Sequence, residues 1–248
     1  MLEVLKLFNY APPNFNITVD NITNKFGKTG TNIPFEIKRV GESYILYIKG
    51  EQWMMYDDNH SQAAQLFSHY YVANGDVITT GLGLAVRENW LLNNPNVKSL
   101  TILEKNEDLI EYHRQTNPHL FEKAKIIKCD AKIYKGTCDT LLIDHYEWES
   151  MDEIITDVSN ICDNIKCEKM WFWHLETQIL ADIHKVNEDG ICSRFRVNQF
   201  KIDAGSLKNI KQVYDSIKYK NKLSKLPNLT QEELQLIIAI YTLFFQVM

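Results

Sequence analysis

Two different rhythms of apolar and polar residues divide the chain near residue 58. Before it, three short β-type runs, Phe35–Val40, Ser43–Lys49 and Gln52–Tyr56, are separated by Gly41-Glu42 and Gly50-Glu51. Gly-X pairs suit tight hairpin turns, so a small antiparallel meander is expected. Residues 1–34, rich in Asn, Thr and Pro, read as short strands and loops. Beyond Asp58 a helical period takes over. Leu66, Phe67, Tyr70 and Tyr71 share one face, and Asn74-Gly75 supplies a stop. The apolar run Asp76–Thr80 then meets Gly81-Leu82-Gly83, and a helical pattern carrying Val86, Trp90 and Leu91 ends before Pro95.

The alternation continues. Val97–Leu103 reads as a strand. Asn106 reads as a helix cap, with Glu107 and Asp108 in the positive first turn and Pro118 beyond the helix end. Ala124–Cys129 and Asp139–Asp144 are further strand runs, 151–164 is helical, and Lys169–Leu175 is a buried strand. Strands alternating with helices predict an α/β fold, a doubly wound Rossmann-like parallel sheet with helices on both faces. A small β-meander precedes it (1–57), the sheet domain spans 58–203, and a helical extension occupies 204–248. Residues 191–203 are expected to supply one or both strands of an antiparallel pair at the end of the sheet.

Parallel sheets bind ligands at the carboxyl ends of their strands. There the chain places Gly81-Leu82-Gly83, then Glu104, then Asp130, then Asp144. Glycines allow close backbone approach to a ligand. An acid 23 residues beyond Gly81 is placed to accept from ribose hydroxyls, and a carboxylate after the third strand can meet an adenine amino group. Any one of these is weak; the ordered set points to a nucleoside cofactor.

The ordered set resembles the class I S-adenosylmethionine-dependent methyltransferases, and within them the spermidine synthase-like branch. Thr79-Thr80-Gly81-Leu82-Gly83-Leu84-Ala85-Val86-Arg87-Glu88 lies without a gap over the Gly-Gly-Gly-Asp-Gly-Gly turn and following Arg-Glu of aminopropyltransferases. The resemblance covers residues 35–175. It implies that Gly81 and Gly83 line S-adenosylmethionine or its decarboxylated form, Glu104 holds the ribose, Asp130 the adenine, and Asp144 faces the reaction centre. Leu82 stands where that branch has an acid, and Thr79 where many methyltransferases have one; Asp57, Asp58 or Gln62 are the substitutes at hand. The loop Asp144-His145-Tyr146-Glu147 keeps the spacing of the branch's acidic loop with a longer second acid.

The expected activity is therefore methyl transfer to a small or amine-bearing acceptor. Aminopropyl transfer from the decarboxylated cofactor is the alternative, and a scaffold that keeps the fold without turnover is a third. Asp144 and Glu147 are the candidate catalytic carboxylates, able to attract a cationic amine and take its proton. Tyr146 and Trp148 offer aromatic faces to a cation. His145 is either a base or a surface residue. Trp171, Phe172 and Trp173 read as buried strand, with His174 and Glu176 at its mouth.

Bulk properties narrow the partners. A net charge of −5 argues against a protein held on nucleic acid by bulk charge. No run of 18 apolar residues suggests a membrane span, and the amino terminus lacks a signal-peptide pattern. Five cysteines without a Cys-x-x-Cys pair suggest free thiols in a reducing cytoplasm, with no structural metal expected. Residues 201–225, with seven lysines and two aspartates, read as a solvated helix face. The last helix opens on a Thr230…Glu233 capping box. Its strongly apolar body is expected to pack on the domain or at a homodimer seam.

Overall fold

The computed structural model describes residues 35–40, 43–48, 51–57, 61–146, 150–186 and 207–247. The expected meander is present: β1 (Phe35–Val40), β2 (Ser43–Ile48) and β3 (Glu51–Asp57) form an antiparallel sheet. Phe35 pairs with Ile48 and Ser43 with Asp57, with an irregularity at Leu46/Tyr47. Leu46 is fully buried and joins the main core. The Phe35 ring meets Tyr112 edge-on at 5.8 Å, tying the meander to the larger domain.

The larger domain runs α1 (Ser61–Val72), β4 (Gly75–Thr80), α2 (Val86–Leu91), β5 (Val97–Glu104), α3 (Glu107–Thr116), α4 (Pro118–Lys123), β6 (Lys125–Lys128), β7 (Gly136–Ile143), α5 (Met151–Asn164), β8 (Ile165–Phe172) and α6 (Leu175–His184). After these come α7 (Ile210–Lys220) and α8 (Gln231–Val247). Its five strands pair in parallel in the order β6-β5-β4-β7-β8. The α/β, Rossmann-like architecture expected from the sequence is the one observed, with the β-meander ahead of it and helices behind. The run 191–203, expected to end the sheet, lies outside the described residues.

Local chemistry explains the element ends. The Asn106 side chain accepts from the Asp108 and Leu109 N–H groups at the start of α3. Ser150 and Glu153 form a reciprocal capping box on α5, and Thr230 with Glu233 do the same for α8. Each such cap contributes roughly 1 kcal/mol. The strand interiors are buried on both sides, as helices covering two faces require. Leu141, Leu142, Ile143, Trp171 and Phe172 are inaccessible to solvent, and truncating a ring such as Phe172 would cost about 3–5 kcal/mol.

The apolar α8 packs on α1 and α6. Tyr71 Oη donates to Glu233 at 3.0 Å and Thr177 shares a hydrogen bond with Tyr241 at 2.7 Å. Among the described residues no helix is long and apolar enough to cross a membrane.

The strand order sets the place of the site. From β4 the chain steps outward through β5 to β6, then returns to lay β7 and β8 on the other side of β4. The carboxyl ends of β4 and β7 therefore border the point where the winding reverses, the crevice where open parallel sheets take ligands.

Candidate functional site

The turn leaving β4 is held by side chains from three directions. Gly81 has φ +77° and Gly83 φ +51°, conformations that glycine adopts at no steric cost. Space adds a second demand at Gly81, because a Cβ there would press into the Asp144 carbonyl oxygen at the end of β7. Ala85 is also left-handed, at φ 59°, as α2 begins.

Hydrogen bonds saturate most of the turn. Gly81 N–H donates to Leu103 O at 2.8 Å. Arg87 Nη2 donates to the carbonyls of Thr80 and Gly81, each at 3.0 Å. His113 Nε2 lies 2.8 Å from Gly83 O; a carbonyl only accepts, so this nitrogen carries the proton. Burial holds His113 down at about 4, so the ring is neutral.

Glu104 closes the remaining side. One carboxylate oxygen accepts from Leu82 N–H at 2.8 Å, the other from Asn106 N–H at 2.7 Å. Burial pushes its carboxyl up and these two backbone donors pull it back down. A carboxylate has about four acceptor positions, so each oxygen has one left over after the bonds it makes among the described residues.

Beside the turn lies a buried charged network. Arg87 bonds Glu88 through Nε at 2.8 Å and Nη2 at 2.6 Å, approaches Asp144 through Nη1 at 3.2 Å, and faces His69 at 3.5 Å. Glu88 is pushed up by burial and pulled down by Arg87, and Asp144 shows the same balance with a quarter of its side chain open. His69 is forced well below its usual range by burial and the neighbouring guanidinium. Glu176 accepts from Trp171 Nε1 at 3.0 Å and from Ser68, and burial raises it to about 7. One cation thus faces two acids, and Glu176, without a cation of its own and within reach of the Asp144 charge, is the acid that burial favours keeping protonated.

His145 follows Asp144. Asp144 N–H donates to Thr80 Oγ1 at 3.0 Å, and that hydroxyl meets His145 Nδ1 at 2.6 Å. The hydroxyl can give its proton to Nδ1 or accept one from it, so this bond is compatible with either imidazole tautomer. His145 Nε2 is buried without a hydrogen-bond partner among the described residues. Burial lowers His145 to about 4, and Lys105, Asp130, Lys132 and Asp157 lie within electrostatic reach. It is a neutral ring with one nitrogen unpartnered among the described residues.

The other sequence-derived candidates are distributed unevenly. Asp130 is exposed after β6, where one oxygen accepts from Lys132 N–H at 2.9 Å and the other has no partner among the described residues. Tyr146 is buried, its ring 4.7 Å from His145. Glu147, Trp148 and Asp58 lie outside the described residues. Leu82 and Thr79 are both buried, Thr79 Oγ1 has no partner among the described residues, and neither side chain is the acid usual at its place. Glu176, read as a residue at a strand mouth, is instead a core residue on α6. Arg87, His69 and His113 were not singled out as site residues. A signal for the first existed: Arg87-Glu88 interrupts an otherwise apolar run straight after the glycines.

Among the described residues no three His, Cys, Asp or Glu side chains are arranged to hold a metal ion. No family model matches the chain, and no curated protein matches it. Several solved structures share part of its shape. Spermidine synthase from Thermotoga maritima aligns with TM-score 0.43 and 17% identity, over 59% of this chain and 54% of that one. A methyltransferase from Thiobacillus denitrificans in complex with S-adenosyl-L-homocysteine gives 0.34 and 12%, over 74% and 84%. The M. jannaschii tRNA m1G37 methyltransferase gives 0.35 and 12%, over 56% and 42%. The chain spans about half the length of the first of these. At such scores the likeness assigns neither family nor activity.

Proposed function

We propose that the chain is an S-adenosylmethionine-dependent methyltransferase acting on a small or amine-bearing acceptor. The observation that carries this reading is the immobilised glycine turn at the winding reversal, where Gly81 packs against the Asp144 backbone and Glu104 caps the Leu82 amide. A turn stabilised by Arg87, His113 and Glu104 is organised before any ligand arrives, which lowers the ordering cost of binding.

The residues present fit an adenosyl group. Glu104 is an acceptor-only carboxylate with spare lone pairs, suited to a ribose diol. Asp130 has one oxygen without a partner among the described residues, which suits an amino group, and His145 Nε2 is a buried polar atom that a ligand group could satisfy. The cofactor's contribution is an electrophilic methyl group on sulfur. The chain's contribution is alignment and charge: transfer from a sulfonium needs the nucleophile held in line more than it needs covalent help. Asp144, with Arg87 on one oxygen and a quarter of its surface open, is the carboxylate placed to orient a cationic acceptor.

Isothermal titration with S-adenosylmethionine, its decarboxylated form and S-adenosylhomocysteine tests the proposal. The carboxylated pair should bind, and Asp130→Ala should weaken binding about tenfold, the worth of one hydrogen bond to a charged group. That variant removes an exposed side chain and leaves the turn intact. Preference for the decarboxylated form would move the assignment to aminopropyl transfer. No binding of any of the three would leave a scaffold.

A further inference from the structure

α6 and α7 border a cleft away from the glycine turn. α6 leaves the site-side end of β8, and its ten residues carry the chain about 15 Å before Lys185 closes the helix. Lys185 lines the cleft from this side. Asn209, Gln212, Ser216 and Lys220, on α7 and its cap, line it from the other, around a volume of about 560 Å³. None of these five side chains has a hydrogen-bond or ion-pair partner among the described residues. Asp182 is the one acid of the lining, and Gln178 Nε2 donates to its Oδ1 at 2.8 Å.

An exposed aromatic ring adjoins the cleft. Gln212, Ser216 and Tyr219 are spaced i, i+4 and i+7 on α7, so they share one stripe of the helix. The first two line the cleft, which places Tyr219 a turn further along, at its lip. The ring is 86% exposed, and among the described residues Ile133 is the other large hydrophobic side chain left open. The segment is also basic. Residues 207–225 hold six lysines and one aspartate, in a chain whose net charge is −5. Lys211 pairs with Asp215 at 2.5 Å, and Lys218 Nζ donates to Leu226 O at 2.6 Å and to Asn228 Oδ1 at 2.9 Å. A solvated helix face accounts for those two. It does not account for Lys220 and Lys222, which are exposed and unpaired among the described residues close in the chain to a bare phenol ring.

We propose that this cleft and the Tyr219 ring bind single-stranded nucleic acid. Each part of the surface matches one part of a nucleotide. Lys185, Lys220 and Lys222 meet phosphates, the phenol ring offers a face on which an unpaired base stacks, and the amide and hydroxyl groups of the cleft meet sugar or base edges. A duplex keeps its base faces covered, so the ring selects a single strand. A membrane surface matches less well: interfacial helices bury a whole apolar stripe, and Tyr219 is the one large hydrophobic side chain that α7 exposes. Salt screens charges beyond roughly 8 Å, so the local lysines, and not the acidic balance of the whole chain, decide the contact.

The probe is a fluorescein-labelled single-stranded RNA of mixed sequence, about a dozen nucleotides long. Its anisotropy is read against the full chain from low salt up to about 300 mM KCl. With three lysines on phosphates, the logarithm of the affinity should fall with that of the salt concentration at a slope of about −2. Lys220→Gln should reduce the slope to about −1.4. Tyr219→Ala should weaken binding about tenfold at every salt concentration with the slope unchanged, and Tyr219→Phe, which keeps the ring, should bind like the parent. Both side chains are exposed, so these variants keep the fold and the affinity for S-adenosylhomocysteine, and the outcome is independent of the methyl-transfer reading. No RNA binding at low salt, unaltered affinity in Tyr219→Ala, equally tight binding of the duplex of the same sequence, or binding of phosphatidylserine vesicles in place of RNA would each overturn the proposal.

Discussion

Replacing Glu176 by Gln should change how stability depends on pH, with little effect where the native carboxyl is already protonated. The glutamate is buried beside Trp171 and Ser68, and burial raises it from 4.5 to about 7. Between those values the folded protein holds a proton that the unfolded chain has released. Stability therefore falls as pH rises through this window and levels off above it. At 1.36 kcal/mol per pKa unit, the full loss is about 3 kcal/mol. Glutamine stays neutral at every pH, and its carbonyl oxygen can still accept from the indole and the serine. Urea unfolding of both proteins from pH 4 to pH 8.5 reads the effect. The variant should match the parent near pH 4 and gain on it progressively, by about 3 kcal/mol at pH 8.5, with unchanged m-values. The neutral histidines His69, His113 and His145 are common to both proteins and cancel in the difference. A stability difference that stays flat from pH 4 to 8.5 would refute a buried, proton-holding Glu176.

Two further substitutions probe the turn and its clamp. Gly81→Ala forces a left-handed alanine, at about 1–2 kcal/mol, and drives its Cβ against the Asp144 carbonyl; a total loss above about 2 kcal/mol and abolished adenosyl-ligand binding are expected, by thermal unfolding and titration. Arg87→Leu strands Glu88 and Asp144 without their cation and should cost about 3–5 kcal/mol, with Arg87→Leu/Glu88→Gln recovering part of it in a double-mutant cycle. Full additivity of that pair would show that the two side chains do not act together.

The periodic parts of the fold were legible in the sequence because they depend on local rules. Alternation between strand and helix, the glycines at 81 and 83, the Asn106 cap and the Thr230 capping box each follow from a residue and its near neighbours. The same rules placed Glu104 and Asp144 at strand ends, which is where they lie. What local rules could not supply is the consequence of strand order. Only the return of the chain from β6 to β7, across β5 and beside β4, brings Asp144 against Gly81, although 63 residues separate them. Only that packing decides that Arg87 faces inward onto two carbonyls and that Glu176 is a core acid held by Trp171 and Ser68. The physical reason is desolvation. A charge or thiol behaves alike in any sequence context while water surrounds it, and its protonation and reactivity are set by whichever groups replace that water once the sheet and its helices close.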